Sequence, residues 1–425
     1  MTPVMISTMV LCFALTVSVA VSIGLASILG IQVANANMLI AVKEMFASIN
    51  KFPLAAIPFF ILAGNLMETG GISRRLVEFA KSIVGGVQGG LPMTCVLTCM
   101  IFAAVSGSSV ATTFAIGAIL IPALIKHGYP TNFAAALQAT SAELGVIIPP
   151  SIPMILYGVS AEVSIGELFI AGFGPGILIG GGLMAFVWLW SQYKGYGKDD
   201  HIGRMTFGHA TKEAALALMM PVIIIGGILT GVFTATEAAG VASLYAMVVC
   251  LFVFHTITWR DLPDIILNMV KVSAMIALIL GTSKGFSWVL TTQNIPQYIG
   301  GVLTGLTDSP VVFLMLVNII LLVIGCLVDT YPAILIFAPI FHPIALSYGI
   351  HPLHFGVVMC VNLLIGLNTP PVGTGLFLGV AIGKVSLEEL VKAVMPFNLV
   401  EMAVLLVLTY VPTLSLWLPS AAGFR

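Results

Sequence analysis

Two polar stretches interrupt long apolar runs of the sequence and carry oxygen atoms suited to binding a small cation. The first, Ser-Gly-Ser-Ser-Val-Ala-Thr-Thr at 106–113, lies in the middle of the apolar run 91–124. The second surrounds Asp329, which lies within the apolar run 309–346. Polar and ionisable groups are costly in lipid, and where they persist they mark ion or substrate pathways. Hydroxyl groups, a carboxylate and freed backbone carbonyls together predict ligands for Na⁺.

Each polar stretch is followed by a helix that a pair of prolines must interrupt. The two sequences are ELGVIIPPSIP at 143–153 and IGLNTPPVGTG at 365–375. Proline removes a backbone donor and clashes with the preceding turn. At membrane depth such a break survives only where protein or water satisfies the freed backbone groups. We expect each polar stretch to form the tip of a re-entrant hairpin that faces the broken helix following it.

A single offset of 221 residues, the separation of Pro122 from Pro343, relates the two regions. It aligns several identical glycine or proline pairs, where roughly one would be expected by chance, and it therefore indicates a structural duplication. Besides the first pair, the matches are Gly128 with Gly349, Gly145 with Gly366, Pro149 with Pro370, Pro150 with Pro371 and Gly158 with Gly379.

The basic residues predict that the two copies face opposite sides of the membrane. Short cytoplasmic loops collect Lys and Arg. The first copy carries Lys51, Arg74, Arg75, Lys81 and Lys126, and the offset aligns these with Val272, Ile295, Pro296, Val302 and Ser347. Lys271 and Lys284 are exceptions to this asymmetry. Inverted repeats with paired broken helices are typical of secondary transporters, whose ion and substrate sites lie where the breaks meet.

The two copies therefore predict two cation sites with a solute site between them. The first cation site uses hairpin hydroxyls and carbonyls of the first break: Ser106, Ser108, Gly145, Ile148 and Pro150. The offset places the second at Gly366, Thr369 and Pro371, opposite a hairpin tip between Gly325 and Thr330 that contains Asp329. The expected solute site consists of Ser108, Ser109, Thr112, Asp329, Asn368 and Thr374.

Plainer interpretations of these residues remain open. The small residues of the first hairpin could serve only close helix packing, and Asp329 could only cap a helix or bond the opposing break. We expect Glu143 to be a buried anchor, with a proton carrier or an ion ligand as alternatives. Glu237 follows Thr234 in the pattern of a capping box. The six cysteines and seven histidines show neither a disulfide framework nor metal-ligand spacing.

The composition requires a membrane protein. Of 425 residues, 59% are hydrophobic and 8% are charged, with a mean hydropathy of +1.12. A net charge of −1 leaves no basic surface for a nucleic acid. The apolar runs are long and lack strict alternation, so we expect an all-α polytopic fold with about ten to fourteen crossings. No nucleophile elbow, zinc-protease or phosphate-loop motif occurs, so we expect no enzyme, and transport would draw on an ion gradient.

The apolar runs predict the spanning segments, and the first, near 4–32, is expected to be one retained helix. The other runs fall near 52–68, 92–125, 131–160, 163–193, 213–233, 236–257, 272–292, 310–346, 353–381 and 396–419. Amphipathic pieces at 36–50, 71–84, 259–270 and 385–394 are expected to lie along the interface. We expect scaffold and arm helices in 1–90, 161–308 and 382–425, and a hairpin with its broken helix in each of 91–160 and 309–381.

Five stretches resemble the large membrane subunit of tripartite ATP-independent periplasmic (TRAP) transporters, and the resemblance covers nearly the whole chain. They are AIPFFILAGNLMETGGISRRLVEFA, AAVSGSSVATTFAIGAILIPALIKHGY, GVIIPPSIPMILYG, GVFTATEAAGVASLYA and IGLNTPPVGTGLFLG. The resemblance implies an elevator-type, Na⁺-coupled importer in the bacterial inner membrane. It also implies two partners, a small four-helix membrane subunit and a periplasmic substrate-binding protein. No helices of the small subunit precede Met1, so we expect an unfused system.

The resemblance also implies sites and substrates. The family's first Na⁺ site matches Ser106, Ser108, Gly145, Ile148 and Pro150, and its second matches Gly325, Asp329, Gly366 and Thr369. Family substrates are mostly organic acids, including C4-dicarboxylates and sialic acids, and whole-sequence likeness favours a sialic-acid member. Two alternatives remain open: a Na⁺- or H⁺-coupled anion transporter of similar architecture that needs no binding protein, and a receptor or scaffold that moves no solute.

Overall fold

The computed structural model describes residues 2–34, 36–197 and 205–423, and all regular elements in these ranges are helical. The first ten helices are α1 (Thr2–Ala14), α2 (Val19–Val33), α3 (Leu39–Ile49), α4 (Ala56–Thr69), α5 (Ile72–Val84), α6 (Gly90–Ser106), α7 (Ser109–Lys126), α8 (Thr131–Ile147), α9 (Ile152–Ala161) and α10 (Ile165–Lys194). The others are α11 (Phe207–Leu229), α12 (Ala235–Val248), α13 (Leu262–Thr292), α14 (Ile295–Leu306), α15 (Pro310–Leu327), α16 (Thr330–Ser347), α17 (Pro352–Leu367), α18 (Thr374–Gly383), α19 (Leu387–Tyr410) and α20 (Thr413–Ala421).

The all-α membrane fold predicted from composition is confirmed. Nine helical segments in the described part of the chain are long and apolar enough to cross a bilayer. A short 3₁₀ turn at Phe52–Ala55 leads into α4, and a π-helical turn at Val249–Val253 extends α12. Residues 198–204, between α10 and α11, lie outside the described part of the chain.

The prediction of one helix near 4–32 is wrong. The chain turns between α1 and α2, where Thr16 has a positive φ of 58°. The linking residues include Thr16, Val17 and Ser18, whose side chains have weak helix propensity. The two short helices then pack against each other. The apolar run is therefore a helical pair instead of a single span.

The separate amphipathic pieces predicted at 259–270 and 385–394 are also wrong. The first is the beginning of α13, because the sequence from Asp264 to Leu280 contains neither Gly nor Pro to stop the helix. The second is the beginning of α19, which continues through Pro396. Proline there leaves free only the carbonyl of Lys392, which belongs to an exposed part of the helix. By contrast, α3 and α5 are separate helices, as the sequence predicts.

Both predicted helix pairs and both broken helices are present. Helices α6 and α7 are joined by a two-residue turn, and so are α15 and α16. The segments α8 and α9 meet at an angle of 43° across the first proline pair. The second proline pair separates α17 from α18. Both Pro-Pro peptide bonds, Pro149-Pro150 and Pro370-Pro371, are cis.

The two copies interlock. Within each copy the first hairpin arm packs on the broken helix, α6 on α8 and α15 on α17. Between copies the contacts are reciprocal, because α9 packs on α16 and α18 packs on α7. Reciprocal contacts of this kind are typical of two equivalent units related by a pseudo-two-fold axis. They bring the two hairpin tips and the two breaks to one region of the molecule.

Two other groups of helices surround this region. Helix α13 packs on α2, α3, α4 and α16, and α19 packs on α8, α10 and α17.

At the start of α12 the Thr234 hydroxyl accepts a bond from the Glu237 amide while the Glu237 carboxylate accepts from the Thr234 amide. The predicted capping box is therefore confirmed.

Candidate functional site

The first hairpin tip lies directly against the first break. Gly107 has a positive φ of 62°, and a side-chain carbon built on it would come within 2.8 Å of the Pro150 carbonyl oxygen. Only glycine allows the two backbones to approach so closely. Ser108 begins α7 as its cap, where its hydroxyl accepts a bond of 3.3 Å from the Ala111 amide. The tip is thus held by local bonds while its backbone faces the break.

Hydroxyl and carbonyl oxygens of the first predicted cation site lie within this contact. The Ser106 hydroxyl is 3.2 Å from the Thr112 hydroxyl, which donates a bond of 2.8 Å to the Ser108 carbonyl. That carbonyl also packs against Gly145. Ile148 is buried in extended backbone at the end of α8. The structure therefore brings Ser106, Ser108, Gly145 and Pro150 to one hairpin-break contact, with Ile148 in the break between the last two.

The second hairpin tip makes the related contact. A side-chain carbon on Gly366 would lie 2.6 Å from the Gly325 Cα atom, so α15 and α17 touch through their backbones. The Gly373 amide donates a bond of 3.0 Å to the Cys326 carbonyl and ties the break to the tip. Asp329 accepts a bond of 3.3 Å from the Tyr331 amide as the cap of α16. Asp329 therefore caps α16, which is one of the interpretations that the sequence leaves open.

Thr369 and Pro371 occupy different positions at the second break. The Thr369 hydroxyl donates a bond of 2.7 Å to the Ile365 carbonyl. Pro371 is exposed. An amide that was not predicted supports this break: the Asn398 side chain on α19 donates to the Asn368 carbonyl at 2.8 Å and to the Thr369 hydroxyl at 3.3 Å. Its signal in the sequence is a polar residue within an apolar helix.

A cavity of about 600 Å³ lies between the two hairpins, the two broken helices and the pair α2 and α13. Four predicted solute residues line it: Ser109, Asp329, Asn368 and Thr374. Ser108 and Thr112 are not among the lining residues, and Thr112 is fully buried with its hydroxyl bonded within the hairpin. Thr113 and Glu143 line the cavity instead. The rotation of α7 about its axis therefore places Thr112 inside the hairpin and Thr113 at the cavity.

Four helix N-termini converge on the cavity. The lining includes first-turn residues of α7 (Ser109, Val110), α9 (Pro153), α16 (Thr330, Tyr331, Pro332) and α18 (Thr374, Gly375). Each N-terminus carries a partial positive charge and unpaired amide groups. No Lys, Arg or His occurs among the described residues that line the cavity. The positive potential available to an anion therefore comes from backbone dipoles, an arrangement used by transporters with broken helices.

The sequence matches the model of a known family over most of its length. Residues 6–414 match the tripartite ATP-independent periplasmic transporter, DctM component. The chain belongs to this family. The resemblance to the TRAP large subunit is thereby confirmed, and with it a multi-pass protein of the inner membrane that is a transporter permease.

Curated relatives agree with this assignment. The permease is 42% identical over 380 residues to the C4-dicarboxylate TRAP transporter large permease protein of Pseudomonas aeruginosa, covering 89% of each chain. It is 40% identical over 417 residues to the isethionate TRAP transporter permease protein of Oleidesulfovibrio alaskensis, covering 98% of this chain and 66% of the relative. The sialic acid TRAP transporter large permease protein of Vibrio cholerae is 36% identical over 379 residues, covering 89% of each chain.

The fold is also found in a distant transporter. The crystal structure of the Alcanivorax borkumensis YdaH transporter matches with a TM-score of 0.64 at 14% identity, covering 90% of the permease and 88% of that chain. At such low identity the likeness shows a shared fold only.

Proposed function

We propose that the permease is a Na⁺-coupled secondary active importer of a small organic acid. The observation that carries this proposal is the cavity at which both hairpin tips, both helix breaks and four helix N-termini meet. Helix N-termini attract anionic groups, each contributing about 0.3–2 kcal/mol according to burial. A cavity of this kind suits a carboxylate or sulfonate without needing a basic side chain.

We propose two Na⁺ sites, one at each hairpin-break contact. At the first, the hydroxyls of Ser106 and Ser108 and the carbonyls of Gly145, Ile148 and Pro150 would supply oxygen ligands. At the second, the ligands would come from Gly325, Asp329, Gly366, Thr369 and Pro371. Unwound carbonyls beside hydroxyls suit Na⁺ because they coordinate it with little added charge. The packing of each hairpin tip on its helix break supports this proposal.

The proposed movement is of the elevator type. The two hairpins with their broken helices, within 91–160 and 309–381, would move as one body against helices of 1–90, 161–308 and 382–425. The cavity lies between the hairpin units and two helices outside them, α2 and α13, and this position supports the proposal. Na⁺ bound at the tips would order the ends of α7 and α16, which present Ser109 and Asp329 to the cavity.

The proposed partners are a small membrane subunit and a periplasmic binding protein. The isethionate relative, DctMQ, is longer than this chain, which spans 66% of it, and this fits a relative that also contains the small subunit. Whole-sequence likeness favours a sialic acid, whereas relatives of higher identity are named for C4-dicarboxylates and isethionate. The shared chemistry of these solutes is a small organic acid, and the proposal is made at that level.

Uptake into proteoliposomes tests the function. The permease would be reconstituted with its small subunit and binding protein, and uptake of radiolabelled organic acids would be followed with and without an inward Na⁺ gradient. We expect uptake that requires the gradient and that collapses in Ser108→Ala and in Asp329→Ala. Undiminished uptake in both variants would contradict the proposed sites. Uptake by the permease alone would favour the transporter that needs no binding protein, and absence of uptake would favour a receptor or scaffold.

A further inference from the structure

One wall of the cavity holds a carboxylate that nothing in the described protein neutralises. Glu143 on α8 lines the cavity with only 3% of its surface exposed. Neither of its carboxylate oxygens has a hydrogen-bond partner among the described residues. An ionised carboxylate buried without a partner is strongly destabilising, so such a group either holds a proton or pairs with a positive group. The other cavity acid, Asp329, differs because it already accepts a bond from the α16 backbone.

The surroundings of Glu143 increase the demand for a positive group. Glu401 on α19 is 1% exposed and close enough to interact electrostatically with Glu143. One of its carboxylate oxygens, Oε2, has no partner among the described residues, and neither has the side-chain oxygen of Asn398 one turn earlier. The Asn368 amide also lines the cavity, with both its polar atoms unpartnered. Glu143 therefore has a second carboxyl group beside it and no hydrogen-bond donor among the described residues.

The cavity is thus bipolar. Helix N-termini supply a weak positive potential at the first turns of α7, α9, α16 and α18, while Glu143 offers two unpartnered carboxyl oxygens that can take up a positive group. A solute with only anionic groups would leave Glu143 without a positive partner and would be repelled by it whenever Glu143 is ionised. A solute that carries both an acid group and an ammonium group satisfies both poles, because the ammonium donates charge-assisted hydrogen bonds to a carboxylate.

We propose that the solute of this permease is a zwitterionic amino acid or aminosulfonic acid whose ammonium group binds Glu143. This inference rests on the proposed transport function, since it assigns the chemistry of the transported solute. Glu401 acts as a positioning residue that strengthens the negative potential from behind the wall. Asn368 supplies an additional acceptor and donor to the bound head group.

Matched pairs of acids test the assignment by equilibrium binding to the purified permease in nanodiscs with saturating NaCl. Taurine differs from isethionate, and aspartate from malate, by an ammonium group in place of a hydroxyl. We expect the amino member of at least one pair to bind about 10-fold to 100-fold more tightly, the range expected for a hydrogen bond between charged groups. In Glu143→Gln the amino acid and the hydroxy acid of a pair should bind with about equal affinity. In Glu401→Gln the preference for the amino acid should decrease by a smaller factor.

The variants keep the side-chain shape, and thermal unfolding would verify that they fold. Glu162→Gln is the control, because Glu162 is exposed and lies away from the cavity lining, and it should keep the wild-type preference. The assignment would be overturned if the hydroxy acids bound equally well, if no amino acid of the pairs bound, or if the preference survived Glu143→Gln. A Glu143→Gln effect on Na⁺ affinity alone would identify a cation ligand and also overturn it.

The two proposals fail by different results. Na⁺-driven uptake of a hydroxy acid, together with tighter binding of isethionate or malate, would leave the transport function standing and remove the ammonium assignment. Uptake that does not require Na⁺ would contradict the transport proposal. The preference for the amino acid is measured separately, by binding, and would still test the ammonium assignment.

Discussion

The contact of Gly325 with Gly366 makes a sharp prediction about the second hairpin. A methyl group placed at Gly366 would lie 2.6 Å from the Gly325 Cα and 2.7 Å from its carbonyl carbon. Carbon atoms prefer separations of about 3.5–4.0 Å, so in Gly366→Ala the helices α15 and α17 must separate by roughly 1 Å. Binding constellations tolerate displacements of only about 0.5 Å. The strain should cost about 1–3 kcal/mol of unfolding free energy.

We expect Gly366→Ala to fold but to lose at least about tenfold of its Na⁺-driven uptake and to require more Na⁺ for half-maximal rate, since about 1.4 kcal/mol corresponds to a factor of ten. Uptake in proteoliposomes and thermal unfolding in detergent measure the two effects. Gly301→Ala on α14 is the matched control, because a methyl group there meets no atom within 4 Å. Wild-type uptake and stability in Gly366→Ala, or equal damage in Gly301→Ala, would refute the reasoning.

Three further substitutions test individual contacts by thermal unfolding. Asn398→Ala should cost about 1–3 kcal/mol and reduce uptake, because the buried Asn368 carbonyl loses its donor at 2.8 Å, and an unchanged melting temperature would contradict this. Tyr157→Phe should cost about 1 kcal/mol, because its hydroxyl is 2.7 Å from His342 Nδ1, and a double-mutant cycle with His342→Ala should show coupling. Thr234→Ala should cost about 1 kcal/mol through loss of the capping box, and its Na⁺ dependence should stay at the wild-type value.

Residue type and spacing were sufficient to predict the hairpins and the breaks. A proline pair constrains the backbone locally, and a polar stretch in an apolar run is costly wherever lipid would touch it. Both constraints can be recognised without knowledge of neighbours. The repeated Gly and Pro positions then related Gly145 to Gly366, and in the structure both lie against their hairpins. For the same reason the capping box at Thr234 was predictable from four consecutive residues.

Helix boundaries inside apolar runs were not predictable in this way. The turn at Thr16 and the continuation of α19 through Pro396 involve residues whose local preference is weak or opposed to the outcome. In each case packing against other helices decides whether the chain bends or continues. Hydropathy averages over such positions, because both outcomes bury or expose similar apolar surface.

By itself, the sequence determined that this chain crosses a membrane in helices, that it is built from two related copies, and which oxygen-bearing residues lie at their breaks. Only the tertiary structure decided which of these oxygens meet. It placed Asn398 beside the second break, set Glu401 behind Glu143, and directed Thr113 toward the cavity while Thr112 is buried. The physical reason is that an α-helix has 3.6 residues per turn and packs against helices that are distant in the sequence. The neighbours of a side chain therefore depend on helix rotation and packing, which no local sequence pattern contains.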